Sequence, residues 1–152
     1  MWFSDQAARR RGFTLIELLV VMAIIATLAG LVAPMVLRNV GDAKHTAARA
    51  QIDMLVIALN AYRLDNDAFP GTDQGLQALR TMPLNGPVPR NWRGPYLTRA
   101  VPQDPWGRGY VYVSPGAASA AGFDLYTLGR EGKPGGIDED ADVTSWGGSV
   151  AP

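Results

Sequence analysis

One carboxylate stands inside an otherwise uncharged apolar run. Between Phe13 and Leu37 the only charged residue is Glu17, and inside a bilayer such a group costs ~2.5 to 3.5 kcal/mol or more. A charge that costly is functional by default, and it needs a partner. A second set of chemically capable residues closes the chain: Glu131, Asp138, Glu139, Asp140 and Asp142 lie in a glycine-rich stretch after Leu128. Oxygen ligands on a loop that can turn its carbonyls inward suit a hard divalent cation. The EF-hand pattern fails, because a loop begun at Asp138 has Val143 where the glycine belongs and Ser149 where the bidentate glutamate belongs. On the residues alone, a solvated acidic loop fits as well. His45 is the single histidine, and the chain has no cysteine. This excludes disulfides, thiolate catalysis and cysteine-ligated zinc. No nucleophile, base and orienting group assemble around His45, which reads as a surface residue.

The elements that must position these groups follow from the apolar pattern. As a helix at ~1.5 Å per residue, residues 13–37 reach roughly 37 Å, enough to cross a ~30 Å hydrocarbon core. Arg9, Arg10 and Arg11 directly precede the run, so the positive-inside rule leaves them in the cytoplasm and the rest outside. An ordinary secretory signal has a shorter core, of ~7 to 15 residues, and a small-x-small cleavage site. Here Thr27-Leu28-Ala29 is a poor one. Beyond Leu37 the chain turns amphipathic, with Val40, Ala43, Ala47, Ile52, Leu55, Leu59 and Tyr62 at helical spacing. One helix from about Phe13 to about Asp65 is therefore predicted, near 80 Å long at ~1.5 Å per residue. Asn66-Asp67 and Phe69-Pro70-Gly71 end it, and Thr72 or Asp73 is expected to cap a short helix through Leu79. Residues 82–109 read as an ordered irregular loop, since Trp92, Tyr96, Leu97, Val101 and Trp106 give it much to bury. Tyr110–Val113 and Phe123–Leu128 read as a β-hairpin around the connector Ser114–Gly122. The class is α+β. Formal charge is zero, with no electrostatic pull toward nucleic acid.

The run Arg9-Arg10-Arg11-Gly12-Phe13-Thr14-Leu15-Ile16-Glu17 resembles the type IV prepilin signature. The resemblance implies that a prepilin peptidase cuts between Gly12 and Phe13, that Phe13 is N-methylated, and that Glu17 guides assembly. It divides the chain into a basic leader 1–12, an apolar transmembrane and assembly half 13–37, and a head 38–152 that includes the amphipathic half of the helix. Losing the leader removes three arginines and Asp5 from 14 basic and 14 acidic residues, leaving a net −2. A new amine at Phe13, unperturbed pKa ~7.7 to 8.0, is cationic and stays so when methylated. In a stack of parallel helices, Glu17 of one copy can meet the Phe13 amine of the next. Pro34 has no N–H for the carbonyl of Gly30, which weakens one turn twice, by ~3 and ~1 kcal/mol. This is either a tolerated membrane-helix proline or a turn that melts when the subunit leaves the bilayer.

Tyr62-Arg63-Leu64-Asp65-Asn66, Phe69-Pro70, Gln74–Leu79, Pro102-Gln103-Asp104-Pro105-Trp106-Gly107 and the acidic tail resemble the major pseudopilins of type II secretion systems. That resemblance implies a type IV pilin-like fold, with a long N-terminal helix on a small antiparallel sheet. It also implies a structural, non-enzymatic subunit of a periplasmic filament that helps export folded proteins. The expected partners are other copies of the chain, minor pseudopilins and an inner-membrane platform. Single-pass inner-membrane insertion with a periplasmic head comes first. The resemblance also favours calcium in the acidic loop, with side-chain ligands Glu131, Asp138 and Asp140 and carbonyl ligands Leu128 and Ile137. Without the ion, only Ile137 and Val143 are expected to pin that loop. Val56 and Asn60 stand where acids are expected to meet Arg99 between subunits. A type IV pilus or competence pilin would share the leader and Glu17, but normally carries a larger sheet and often a C-terminal disulfide loop. A membrane-anchored binding domain would keep residues 1–12.

Overall fold

The structure, a computed structural model, describes residues 12–150. It divides into two compact units, Met1–Asn39 and Val40–Pro152. Helix α1, Leu15–Asn66, is 52 residues long and belongs to both. It is continuous through Gly30 and Pro34. Its apolar part is long and greasy enough to cross a membrane, and none of that window is buried in the chain's own fold.

The second unit is built on the other half of α1. Ala48, Ile52, Leu55, Ala58, Leu59 and Tyr62 recur every three or four residues, so they share one helix face. All are buried against Leu76, Leu79, Leu97, Tyr110, Tyr112, Phe123, Leu125 and Val143. Other side chains of the same half, Met54, Ile57 and Leu64, remain exposed.

Three antiparallel strands form the sheet in the order β1 (Val111–Val113), β2 (Asp124–Thr127), β3 (Val143–Thr144). Tyr112 pairs with Leu125, and Thr127 with Val143. The expected hairpin is present, and β3 adds a strand to it. Only two residues long, β3 gives too short an alternation to be read as a strand.

The expected side-chain cap is absent. The short 3-10 helix Leu76–Leu79 begins at Gly75 with no side-chain cap, and Thr72 donates its hydroxyl to the Ser114 carbonyl instead. Gln74 supplies the local order, accepting from Gly71 N–H at 3.0 Å and donating to the Asn85 and Pro87 carbonyls. The Pro/Gly-rich segment that follows is ordered by its aromatics, as expected. Trp92 Nε1 donates to Ala78 O at 3.0 Å, Tyr96 OH donates to Asp65 at 2.9 Å, and Leu97 enters the core.

Candidate functional sites at the helix start and the acidic loop

At the start of α1 the residues form a capping box, in which an N-cap hydroxyl and a glutamate three residues on satisfy free backbone donors. Thr14 Oγ1 accepts from Glu17 N–H at 3.3 Å, while Glu17 Oε2 accepts from Thr14 N–H at 3.4 Å and from the Thr14 hydroxyl at 3.5 Å. Glu17 thus has an intrachain role beside the assembly role expected of it. The Thr14-x-x-Glu17 spacing was the signal for it. Gly12 and Phe13 are exposed. The leader residues 1–11 lie outside the described residues. From Leu15 to Val36 the large apolar side chains Leu18, Leu19, Ile24, Ile25, Leu28 and Leu31 are all more than half exposed.

The acidic loop closes on itself. Arg130 N–H donates to Glu139 O at 2.9 Å, Gly132 N–H to Leu128 O at 3.1 Å, and a 3-10 turn spans Asp138–Asp140. Gly129 and Gly136, with φ near +60° and +84°, carry the tight bends. A Cβ at either would fall 2.5 Å from the Asp140 carbonyl oxygen, so only glycine permits this closure. Asp142 Oδ2 accepts from Gly135 N–H at 2.8 Å and Val150 N–H at 2.9 Å, while its Oδ1 is buried with no partner.

Of the five expected ligands, the Leu128 and Ile137 carbonyls each accept one turn hydrogen bond, and Glu131 and Asp138 face solvent. Asp140 is taken by Arg130, whose Nε and Nη2 each reach one of its oxygens at 2.9 Å. That hydrogen bond holds the Asp140 carboxyl below its usual range. Among the described residues, no group of three or more acids or histidines converges as a metal site would require. The expected donors are carboxylate and carbonyl oxygens, the type that calcium takes, but the structure does not gather them on one point.

The pinning expected of this loop is different in kind. Ile137 is 79% exposed and pins nothing, whereas Val143 is buried. The anchor is Glu139, which accepts from Lys44 Nζ of α1 at 3.2 Å, Trp106 Nε1 at 3.3 Å and Arg130 Nη1 at 3.3 Å. The Lys44 hydrogen bond is the largest cause of its lowered pKa. Trp106 belongs to the Pro102–Gly107 run, whose turn is organised by the buried Asp104. Its Oδ1 accepts from Trp106 N–H at 3.0 Å and Arg108 N–H at 2.8 Å, and its Oδ2 from Thr127 Oγ1. Arg108 in turn donates to the Gly129 carbonyl. The motif and the acidic loop are therefore one construction, which residue types alone did not reveal. Nor is His45 a plain surface residue: it packs edge-on against Trp106 at 5.1 Å, with Nε2 buried and unpartnered.

Residues 35–146 match the family profile described as type II secretion system protein G, and residues 7–33 match the prokaryotic N-terminal methylation motif. The chain belongs to the protein G family. Its relatives include the type II secretion system core protein G of Pseudomonas aeruginosa, 45% identical over 93% of this chain and 98% of the relative. That of Vibrio cholerae is also 45% identical, over 91% and 92%. Among solved structures, the major pseudopilin of enterohaemorrhagic Escherichia coli superposes with a TM-score of 0.61 at 38% identity, covering 71% of this chain and 90% of that one. The pilin-like fold and the major-pseudopilin identity expected from sequence both stand, and the pilus-pilin and anchored-domain alternatives give way. Val56 and Asn60 are the positions at which acids facing Arg99 were expected. Val56 packs on the core and Asn60 is exposed.

Proposed function

We propose that the chain is a structural subunit of a type II secretion pseudopilus. A prepilin peptidase removes residues 1–12 and Phe13 is methylated. The chain is held as a single inner-membrane span through residues 13–37, with residues 38–152 in the periplasm. It then polymerises with other copies, beside minor pseudopilins and on an inner-membrane platform, to help export folded proteins. The observation that carries this is the apolar half of α1, which the chain's own fold leaves uncovered in a protein matched to protein G relatives over nine-tenths of its length. Exposed apolar area of this extent demands a cover: lipid before assembly, helices of neighbouring copies after it. The chain's contribution is structural rather than catalytic.

The acidic loop is proposed to take calcium through Glu131, Asp138 and Asp140 and the carbonyls of Leu128 and Ile137. The all-oxygen donor set and the glycine-permitted closure support this reading. Bound there, the ion supplies a positive charge that offsets carboxylate repulsion and favours the folded loop.

Processing tests the function. Gly12→Val should leave the chain uncut, because a side chain blocks close approach to the backbone, and mass spectrometry of the purified protein reads this directly. A wild-type protein that still begins at Met1 in membranes containing the peptidase overturns the proposal.

A further inference from the structure

We propose that the heads of two copies meet end to end, with Ile137 of one copy seated in the cavity beside the C-terminal end of α1 in the next. The inference rests on the filament reading above and adds to it a contact outside the apolar half of the helix. In the second unit, outside α1, the large exposed apolar side chains fall in two places: Met82, Leu84 and Val88 on one segment, and Ile137 alone on the acidic loop. The two lie at opposite ends of the head. The first segment is tied to the end of α1, where the Asn91 side chain donates to the Asp65 carbonyl at 3.1 Å and its backbone N–H donates to Asn66 Oδ1 at 3.3 Å. The acidic loop is tied to Lys44 through Glu139 at 3.2 Å. Along the helix these anchors stand about 30 Å apart at ~1.5 Å per residue, so Ile137 does not reach the cavity of its own chain.

Knob and cavity match in shape and in charge. The cavity, of about 260 Å³, is walled by Tyr62, Phe69 and Val88, with Arg90 beside them. Ile137 stands on a fixed turn, in which Asp140 N–H donates to its carbonyl at 3.0 Å and Gly136 before it takes φ near +84°, so little freedom is lost when it is buried. Residues 75–103 carry Arg80, Arg90, Arg93 and Arg99 and no acid, whereas residues 131–142 carry five acids and one lysine. That loop remains net negative with a divalent cation aboard. Arg90 is exposed and has no acidic partner among the described residues. Of the acids lining the cavity, Asp65 accepts from Tyr96 OH at 2.9 Å, and Asp67, exposed, is opposite in sign to Lys133 of the incoming loop. Because knob and cavity are different surfaces of one chain, each contact leaves a free knob at one end and a free cavity at the other, which is how an open filament extends.

The chain has no cysteine, so an introduced pair reports the contact directly. The full-length protein carrying Val88→Cys and Ile137→Cys together is assembled in membranes that contain the peptidase and the platform, then treated with a short bismaleimide. The double variant should give a ladder of covalent oligomers, and neither single variant should, since one thiol joins at most two copies. Ile137→Asp should lower the yield of sheared filaments about tenfold or more, the loss expected for one buried aliphatic anchor, while melting as wild type does. Arg90→Glu should lower it by a smaller factor that shrinks as salt is raised. Filaments of the double variant without a ladder, or a wild-type yield from Ile137→Asp, overturn the end-to-end contact while the filament reading survives. If the double variant does not assemble, the two single variants are co-expressed: a cross-linked dimer with one of each supports the contact, and its absence overturns it. If wild type forms no filaments in the same membranes, the filament reading fails and takes this inference with it.

Discussion

Replacing Glu17 by glutamine separates the two things its carboxylate can do. Within the chain it completes a capping box with Thr14 through contacts of 3.3 to 3.5 Å, all exposed. Bonds that long and that wet put the cap at the low end of its range, about 0.5 kcal/mol. Glutamine serves in a capping box as glutamate does, so this contribution survives. Between chains, the proposed partner is the cationic amine of a neighbour's Phe13, and stranding one member of a desolvated pair costs ~3 to 5 kcal/mol. At about 1.4 kcal/mol per tenfold, that is roughly two to three and a half orders of magnitude in the association constant of each contact. Glu17→Gln should therefore stay inserted with an intact helix start, while filaments fall nearly to the level of Glu17→Val. The assay pairs electron microscopy of sheared filaments with amide hydrogen exchange of the first helical turn in micelles. Wild-type filament yield from Glu17→Gln, with loss only in Glu17→Val, would refute the charge-pairing argument and leave the capping box as the reason for the residue.

Two further outcomes are expected. Asp124 is buried and its carboxylate collects N–H groups from Ala117, Ala118 and Ser119 at 2.7 to 3.2 Å; burial opposes its ionisation, but these donors outweigh it and lower its pKa below 3.8. A depressed folded pKa stabilises above the unfolded value, so Asp124→Asn should cost roughly 1 to 3 kcal/mol at pH 7. The wild-type advantage should shrink as pH falls from about 4 through the lower folded value, and equal melting temperatures at pH 7 would contradict this. Calcium at ~1 mM and an affinity of ~10⁻⁴ to 10⁻³ M should stabilise the fold by about 0.4 to 1.4 kcal/mol, a shift of roughly 2 to 8 °C. Asp138→Ala should lose that shift while melting like wild type in chelator, and coincident melts of all three samples would dismiss the metal.

The long helix was legible from two signals in series, a continuous apolar run to Leu37 long enough to span a bilayer and then a helical apolar stripe from Val40 to Tyr62. Its end at Asn66, the hairpin at Tyr112 and Leu125, and the aromatic packing of residues 82–109 were legible for the same reason: each is a strong local signal. What escaped is pairing across the chain. Nothing in the string says that Arg130 rather than Lys133 meets Asp140, or that Glu139 rather than Glu131 meets Lys44, since oppositely charged residues crowd the loop and only tertiary closure chooses among them. The third strand was too short to show alternation. The Thr14-x-x-Glu17 box was present as a pattern, yet the cost of a membrane charge drew attention to a partner outside the chain. Thr72 and Asp73 failed as caps because Gly75 and Gln74 already order that turn.

Glu139 joins Lys44 of α1, Trp106 of the Pro102–Gly107 run and Arg130 of the acidic loop through one carboxylate. In evolutionary terms these four positions form a single heritable character. A lineage that drifts at Glu139 takes the shared acceptor from Lys44 and Trp106, while Arg130 keeps Asp140. Covariation among positions 44, 106, 130 and 139 should accordingly be stronger than between any of them and their sequence neighbours.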